Sequence, residues 1–162
     1  MYVVMETRVA GPADIDLLLP LAAGFRDTLR RSLPDNGTLK GSLRRLLTSG
    51  ESDFFLAVDD TGTAVGYILQ RYRYSMWMSG LEVALEDLFV SPDNRGLGVG
   101  AQLVRFAIAK AEEKGCESIK LDTNESNVEA INLYEKLGFV SGSTRFSDSR
   151  QLSFERTLNP SV

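Results

Sequence analysis

Residues 81–114 place an apolar strand, a glycine-rich turn and an amphipathic helix in immediate succession, and the rest of the chain must fold around that unit. The run Val83-Ala84-Leu85-Glu86-Asp87-Leu88-Phe89-Val90 is bulky enough to be a largely buried strand. Ser91-Pro92-Asp93-Asn94 ends it, because Pro92 has no N–H to give and Asp and Asn favour turns. After Arg95-Gly96-Leu97-Gly98-Val99-Gly100, the residues Val99, Leu103, Phe106, Ala107 and Lys110 recur at helical spacing, and Gly115 is placed to stop the helix. The first-turn N–H groups of a helix lack internal acceptors, its dipole favours an anion, and glycines admit close backbone approach. This unit therefore predicts a seat for a phosphate-bearing ligand.

The remaining elements follow in order. Thr7 to Ala10 reads as a short strand that Gly11-Pro12 ends. Ile15, Leu18, Leu21, Ala22, Phe25 and Leu29 predict a helix from Ala13 to about Leu33, with a kink or break at Pro20. A second helix is expected from Thr38, as its cap, to Ser49-Gly50. Phe54–Val58, Ala64–Tyr74 and Leu81–Val90 then form a meander, Ser118–Thr123 a further strand, and Val128–Leu137 a helix with Ser126 and Glu129 as its capping box. Val140 onward and Gln151–Leu158 read as two closing strands. The result is a mixed sheet with helices on its faces, an α/β or α+β fold in one domain over residues 1–162.

Composition narrows the chemistry mainly through what is missing. The chain has no histidine, so Ser-His-Asp and Cys-His nucleophile systems are excluded. One cysteine, Cys116, allows no internal disulfide, and a zinc site would need it with carboxylates alone, so no metal is expected. Acid–base work falls to carboxylates, tyrosine, lysine or water. A net charge of −4 disfavours a nucleic-acid partner, and no apolar run has the length of a membrane span. The start, Met1 to Glu6, lacks the basic region of a signal peptide, and the expected setting is cytoplasmic.

Two phosphate motifs fail against the loop. A Walker loop requires Lys and Ser/Thr after the last glycine, where Ala101-Gln102 stand. A dinucleotide fingerprint is met formally by Gly96, Gly98 and Ala101, with Asp122 about twenty residues on. Its strand, however, should run straight into the first glycine, and Ser91 to Arg95 intervene.

The stretch Val90 to Gly100 resembles the coenzyme A loop of the GNAT superfamily of N-acetyltransferases, Arg/Gln-x-x-Gly-x-Gly/Ala after a strand ending V-x-P. Asn127 to Phe139 resembles the second signature of that family, N-x-x-A-x-x-L-Y-x-x-x-G-F, and the element order from Thr7 to Leu158 matches as well. The resemblance implies the acyl-CoA N-acyltransferase fold, with a mostly antiparallel central sheet of about seven strands and helices on both faces. It implies acetyl-CoA as co-substrate and transfer of acetyl to a primary amine by direct attack. The acceptor expected is a small cationic amine, on the hint of the acid-rich strand a polyamine-like one. A protein or peptide N-terminal amine acetyltransferase and a non-catalytic acetyl-CoA-binding regulatory module are the alternatives. No nucleic-acid or membrane partner is expected, and a homodimer is left open.

Residue by residue, the resemblance puts the pyrophosphate on Arg95, Gly96, Leu97, Gly98, Val99, Gly100 and Ala101. It puts pantetheine along Leu88, Phe89 and Val90, with Asn127 and Ala130 on the opposite wall and Tyr134 beside the sulfur as general acid. Glu86 is the expected base, acting through water, with Asp87 as its rival. Strand alternation puts the two acids on opposite faces unless a bulge intervenes, and either has an ordinary use as a partner of Arg71 or Arg73. Tyr72, Tyr74, Met76, Trp77 and Met78 are expected to pack the end of a hairpin rather than line an acceptor mouth.

Overall fold

A computed structural model describes residues 5–142 and 154–158. These divide into two compact units, the first ending at Asn124 and the second beginning at Glu125. The first holds strands β1 (Glu6–Val9), β2 (Ser52–Val58), β3 (Ala64–Ser75), β4 (Gly80–Val90) and β5 (Cys116–Leu121). It also holds helices α1 (Ile15–Thr28), α2 (Asn36–Thr48) and α3 (Val99–Glu113); the second unit holds α4 (Val128–Lys136).

The five strands form one sheet in the order β1-β2-β3-β4-β5. Its first three pairings are antiparallel, and β4 pairs with β5 in parallel. The parallel pair needs a crossover, which α3 supplies. Helices cover both faces. On one, Leu18, Leu21 and Ala22 of α1 and Leu43 of α2 share a buried cluster with Phe54, Leu56, Tyr67, Leu69 and Phe89 of the sheet. On the other, the Phe55 ring meets Phe106 of α3 edge-on at 5.1 Å, and Leu103, Val104 and Ala107 are fully buried. Truncating a fully buried leucine such as Leu18 or Leu103 to alanine costs about 2–5 kcal/mol.

Several expected boundaries move, each for a local reason. Helix α1 runs through Pro20 unbroken. Proline there removes the bond to the Asp16 carbonyl, but both residues are exposed, so water serves that carbonyl while Leu18 and Leu21 hold the helix down. It ends at Thr28 rather than near Leu33, because Arg30 takes a left-handed turn at φ 55°. Helix α2 is capped by Asp35, not Thr38: the Asp35 carboxylate accepts from the Thr38 N–H at 2.8 Å. That bond holds the Asp35 carboxyl below its ordinary range. Strand β5 begins at Cys116, two residues before the expected Ser118.

The expected seven strands are five among the described residues. Residues 140–142 and 154–158 have no regular structure, and 143–153, on which much of the two closing strands was expected, lie outside the described residues. The hairpin-end aromatics are also placed differently: Trp77 is 77% exposed, and Tyr74 and Met76 are similarly open. Met78 is half-buried and its sulfur accepts from the Ser118 hydroxyl at 3.7 Å, and Tyr72 is tied in more firmly. Its hydroxyl donates to Asp53 at 2.6 Å, and the Lys114 ammonium sits 4.3 Å from its ring centre. Among the described residues no helix is long and apolar enough to cross a membrane.

Candidate active site

The centre of the site is a break in the regularity of β4. Leu69 of β3 pairs with Asp87, but its neighbour Gln70 pairs with Leu85, so Glu86 is an extra residue. Such a bulge turns side chains out of strict alternation and bends the strand. On the other edge of β4, the ladder to β5 ends at Leu85–Leu121. Beyond it, Asp87 to Val90 remain paired with β3 but have no partner strand on the β5 side among the described residues. Leu88, Phe89 and Val90 thus border an opening between two strands. Backbone groups freed in this way need an acceptor or donor from outside the sheet.

The two acids of the bulge face different spaces. Glu86 is exposed and borders the cleft where β4 and β5 part, together with Ala84, Leu85, Lys120, Leu121 and Asp122. The nearest cation to Glu86 is Arg71, at 3.9 Å, a loose contact that contributes little on a surface. Asp87 is partly buried and borders a cavity of about 220 Å³ between α1, α2 and the sheet. The Tyr67 hydroxyl donates to it at 3.1 Å. Burial pushes the Asp87 carboxyl up, the Tyr67 bond opposes that, and the Glu86 charge adds to it. Arg73 serves neither acid: with Lys120 and Ser118 it surrounds Glu82, which is only 2% exposed, at 2.9, 3.1 and 3.4 Å respectively.

The loop after β4 is fastened to the strand it leaves. Ser91 N–H donates to the Val65 carbonyl at 2.8 Å, and Pro92–Asn94 makes one short 3-10 turn. Arg95 then folds back: its Nε donates to the Val90 carbonyl at 2.9 Å, and its guanidinium stands 5.6 Å from the centre of the Phe89 ring. Arg95 therefore ties the loop back to the end of β4. Gly96 and Gly98 both adopt left-handed backbone, at φ 73° and 84°. This, more than crowding, is why glycine stands there, since a side chain in that region costs about 1–2 kcal/mol. Gly98 caps α3, whose first helical bond runs from Gln102 N–H to the Gly98 carbonyl. Helix geometry leaves the N–H groups of Val99, Gly100 and Ala101 without intrahelical acceptors at the positive end of a 15-residue helix. The strand opening and this helix end lie in the same unit, with Leu97 between the two left-handed glycines.

Helix α4, in the second unit, carries Asn127, Ala130 and Tyr134 at i, i+3 and i+7, which share one face. Its cap is Asn127 itself, not Ser126: the Asn127 side chain accepts from the Ala130 N–H at 3.3 Å. Asn127 thus has a structural duty at the same position that was expected to hold a ligand. Tyr134 is partly buried, burial raises its phenol above the ordinary value, and its ring meets Phe139 at 5.7 Å. A phenol so shifted stays protonated at neutral pH, the form a proton donor needs.

Tyr67, Phe25, Arg26 and Arg31, which border the cavity beside Asp87, were not expected at the site. The helical stripe marked Phe25 as buried, but no spacing in the sequence signals a void. Cys116 sits at the start of β5 with its thiol pushed up by burial, which makes it a poor nucleophile. Among the described residues no three or more His, Cys, Asp or Glu side chains form a group that could hold a metal ion.

A mixed sheet opened between its parallel strands, beside a glycine loop that starts a helix, is the acyl-CoA N-acyltransferase arrangement. A crystal structure of a probable acetyltransferase shares it, with a TM-score of 0.82 at 24% identity, covering 93% of this chain and 100% of the other. The model of the acetyltransferase (GNAT) family matches residues 23–139, and the chain belongs to that family. It is 38% identical over 74 residues to the thialysine N-epsilon-acetyltransferase of Bos taurus, covering 46% of this chain and 43% of that protein. It is 32% identical over 112 residues to the streptothricin acetyltransferase of Streptomyces lavendulae, covering 69% of this chain and 57% of that one. The matches thus span about half the length of these curated relatives.

Proposed function

We propose that this chain is an N-acetyltransferase that moves acetyl from acetyl-CoA to a primary amine by direct attack, without an acyl-enzyme. The observation that carries the reading is the parting of β4 from β5 after Leu85–Leu121, directly before the left-handed loop at the start of α3. The family membership and the likeness to a thialysine N-epsilon-acetyltransferase support it.

On this reading the N–H groups around Gly98 to Ala101 receive the pyrophosphate. The open edge of Leu88, Phe89 and Val90 pairs with the pantetheine arm, and Asn127 and Ala130 are assigned to binding the same cofactor. One N–H of that edge faces the carbonyl oxygen as charge develops on it. The acceptor is a small amine, cationic before reaction. Glu86 takes its proton through water, and the exposed position of that carboxylate lets the proton pass on to solvent. The free amine forms the new N–C bond, the C–S bond breaks, and Tyr134 protonates the departing thiolate. The domain extends over residues 1–162 and works in the cytoplasm.

Two variants test the roles. Tyr134→Phe should leave the fold intact and lower kcat about 10²-fold or more, the range of a general acid; turnover at the original rate would remove Tyr134 from the mechanism. Glu86→Gln should lower kcat at neutral pH, with the loss shrinking as pH rises and the amine sheds its proton directly to solvent, and an unaltered pH–rate profile would end its assignment as base.

A further inference from the structure

The cavity beside Asp87 carries more information about the acceptor than the acid-rich strand does. Its walls are apolar: Phe25 of α1, Leu43 and Leu46 of α2, and Phe54 and Leu69 of the sheet. Asp87 is the one carboxylate among its described lining residues, and the Tyr67 hydroxyl holds one of its oxygens in place. The charged groups elsewhere on the lining are both cations, Arg26 and Arg31. Arg26 is fixed: it donates to the Pro34 carbonyl and to Asn36, each at 2.9 Å, and pairs with Asp27 at 2.8 Å. Arg31 is exposed.

That distribution suits one ammonium group and resists two. An ammonium on Asp87 is paired on arrival. A second one held within the pocket would stand against apolar walls, where an unpaired charge is expensive, or toward Arg26 and Arg31, which repel it, and leaving by the open side takes it past the exposed Arg31. Size sets a further limit. A dry cavity of 150 Å³ holds benzene, so the 220 Å³ here accommodates a ring or short alkyl chain with an aminoalkyl arm, on the order of ten non-hydrogen atoms.

We propose that the acceptor is a primary monoamine with an apolar body, an arylalkylamine or alkylamine, whose ammonium docks on Asp87 while its body fills the cavity between α1, α2 and the sheet. This rests on the acetyltransferase reading and replaces the polyamine hint in the sequence. Asp87 thereby positions the amine beside the bulge, and the proton reaches Glu86, which faces the cleft between β4 and β5, through water.

The test compares pentylamine and 2-phenylethylamine with 1,5-diaminopentane and spermidine. Release of CoA from acetyl-CoA gives kcat/KM, and calorimetric titration of each amine gives binding without turnover. The expected result is a preference of about tenfold or more for pentylamine over 1,5-diaminopentane in both readouts, with binding of the monoamines weakened in Asp87→Asn. Arg31→Gln, an exposed change, should narrow the gap to the diamine by about fivefold, the factor carried by one unit charge at close range in water. A diamine or spermidine taken equally well or better, or monoamine binding unchanged in Asp87→Asn, overturns the proposal. Monoamine binding that depends on Asp87, without CoA release for any amine, refutes the acetyltransferase reading and leaves the ligand class of the cavity standing.

Discussion

Gly98→Ala separates the two things this glycine does. The residue caps α3 at φ 84°. An alanine held there costs about 1–2 kcal/mol, against about 0.4–1 kcal/mol returned by the stiffer unfolded chain, so the net loss of stability is about 1 kcal/mol. The free loop can escape the strain by relaxing away from left-handed backbone, and a bound pyrophosphate must then restore it. Binding therefore loses up to the same 1–2 kcal/mol, roughly 5–30-fold in the Kd for CoA. Gly115→Ala is the control: it also has positive φ, at 73°, but lies at the far end of the 15-residue α3, about 22 Å away. Urea unfolding and calorimetric titration with CoA on both variants give the comparison. Gly115→Ala should lose about 1 kcal/mol of stability and no affinity, whereas Gly98→Ala should divide its strain, losing affinity by the part that the free loop sheds and stability by the part that it keeps. CoA binding unchanged in Gly98→Ala, or weakened equally in Gly115→Ala, would falsify the placement of the phosphates on this loop.

Two carboxylates predict opposite responses of stability to pH. Asp14 receives two hydrogen bonds from Arg8, at 2.7 and 3.0 Å, and one from Gly11 N–H at 2.8 Å. The Arg8 bond is the main cause that lowers its carboxyl, so its contribution is present above the unfolded value near 4 and disappears as pH falls through the lower folded value. Asp14→Asn should cost about 1 kcal/mol at pH 7 and nothing at low pH, as judged by urea midpoints; a cost independent of pH would contradict the pairing. Asp87 runs the other way. Burial raises its carboxyl, the native state holds that proton more tightly, and stability is lost as pH rises from about 4 through the raised folded value. Asp87→Asn keeps an acceptor for Tyr67 and should gain on the natural protein across that rise; a variant that falls behind as pH rises would show that Asp87 is not strained by burial.

The strand–loop–helix unit was legible because each part has its own local signal: a bulky apolar run, Pro92 after it, left-handed glycines, then 3.6-residue spacing. Packing decided what local signals could not. The alternation rule left Glu86 and Asp87 on opposite faces with no means of choosing between them, and the bulge that sorts them is set by the pairing of β3 with β4, residues far apart in sequence. Pro20 was misleading for the reverse reason, since its penalty falls on an exposed carbonyl that water can serve. Asp35 displaced Thr38 as cap because an acid one residue past a proline is as good a cap, and sequence spacing does not rank the two. The cavity beside Asp87 had no sequence signature at all, because a void is a property of how Phe25, Leu43 and Leu69 fail to meet.

The central claim is catalytic, and one measurement reaches it directly. The purified chain is given acetyl-CoA and 2-phenylethylamine, thiol release is followed, and the amine product is weighed by mass spectrometry. The account predicts one N-acetyl product for each CoA released, at a rate abolished by leaving out either substrate. Tight CoA binding with no acetylated product from any primary amine would contradict it.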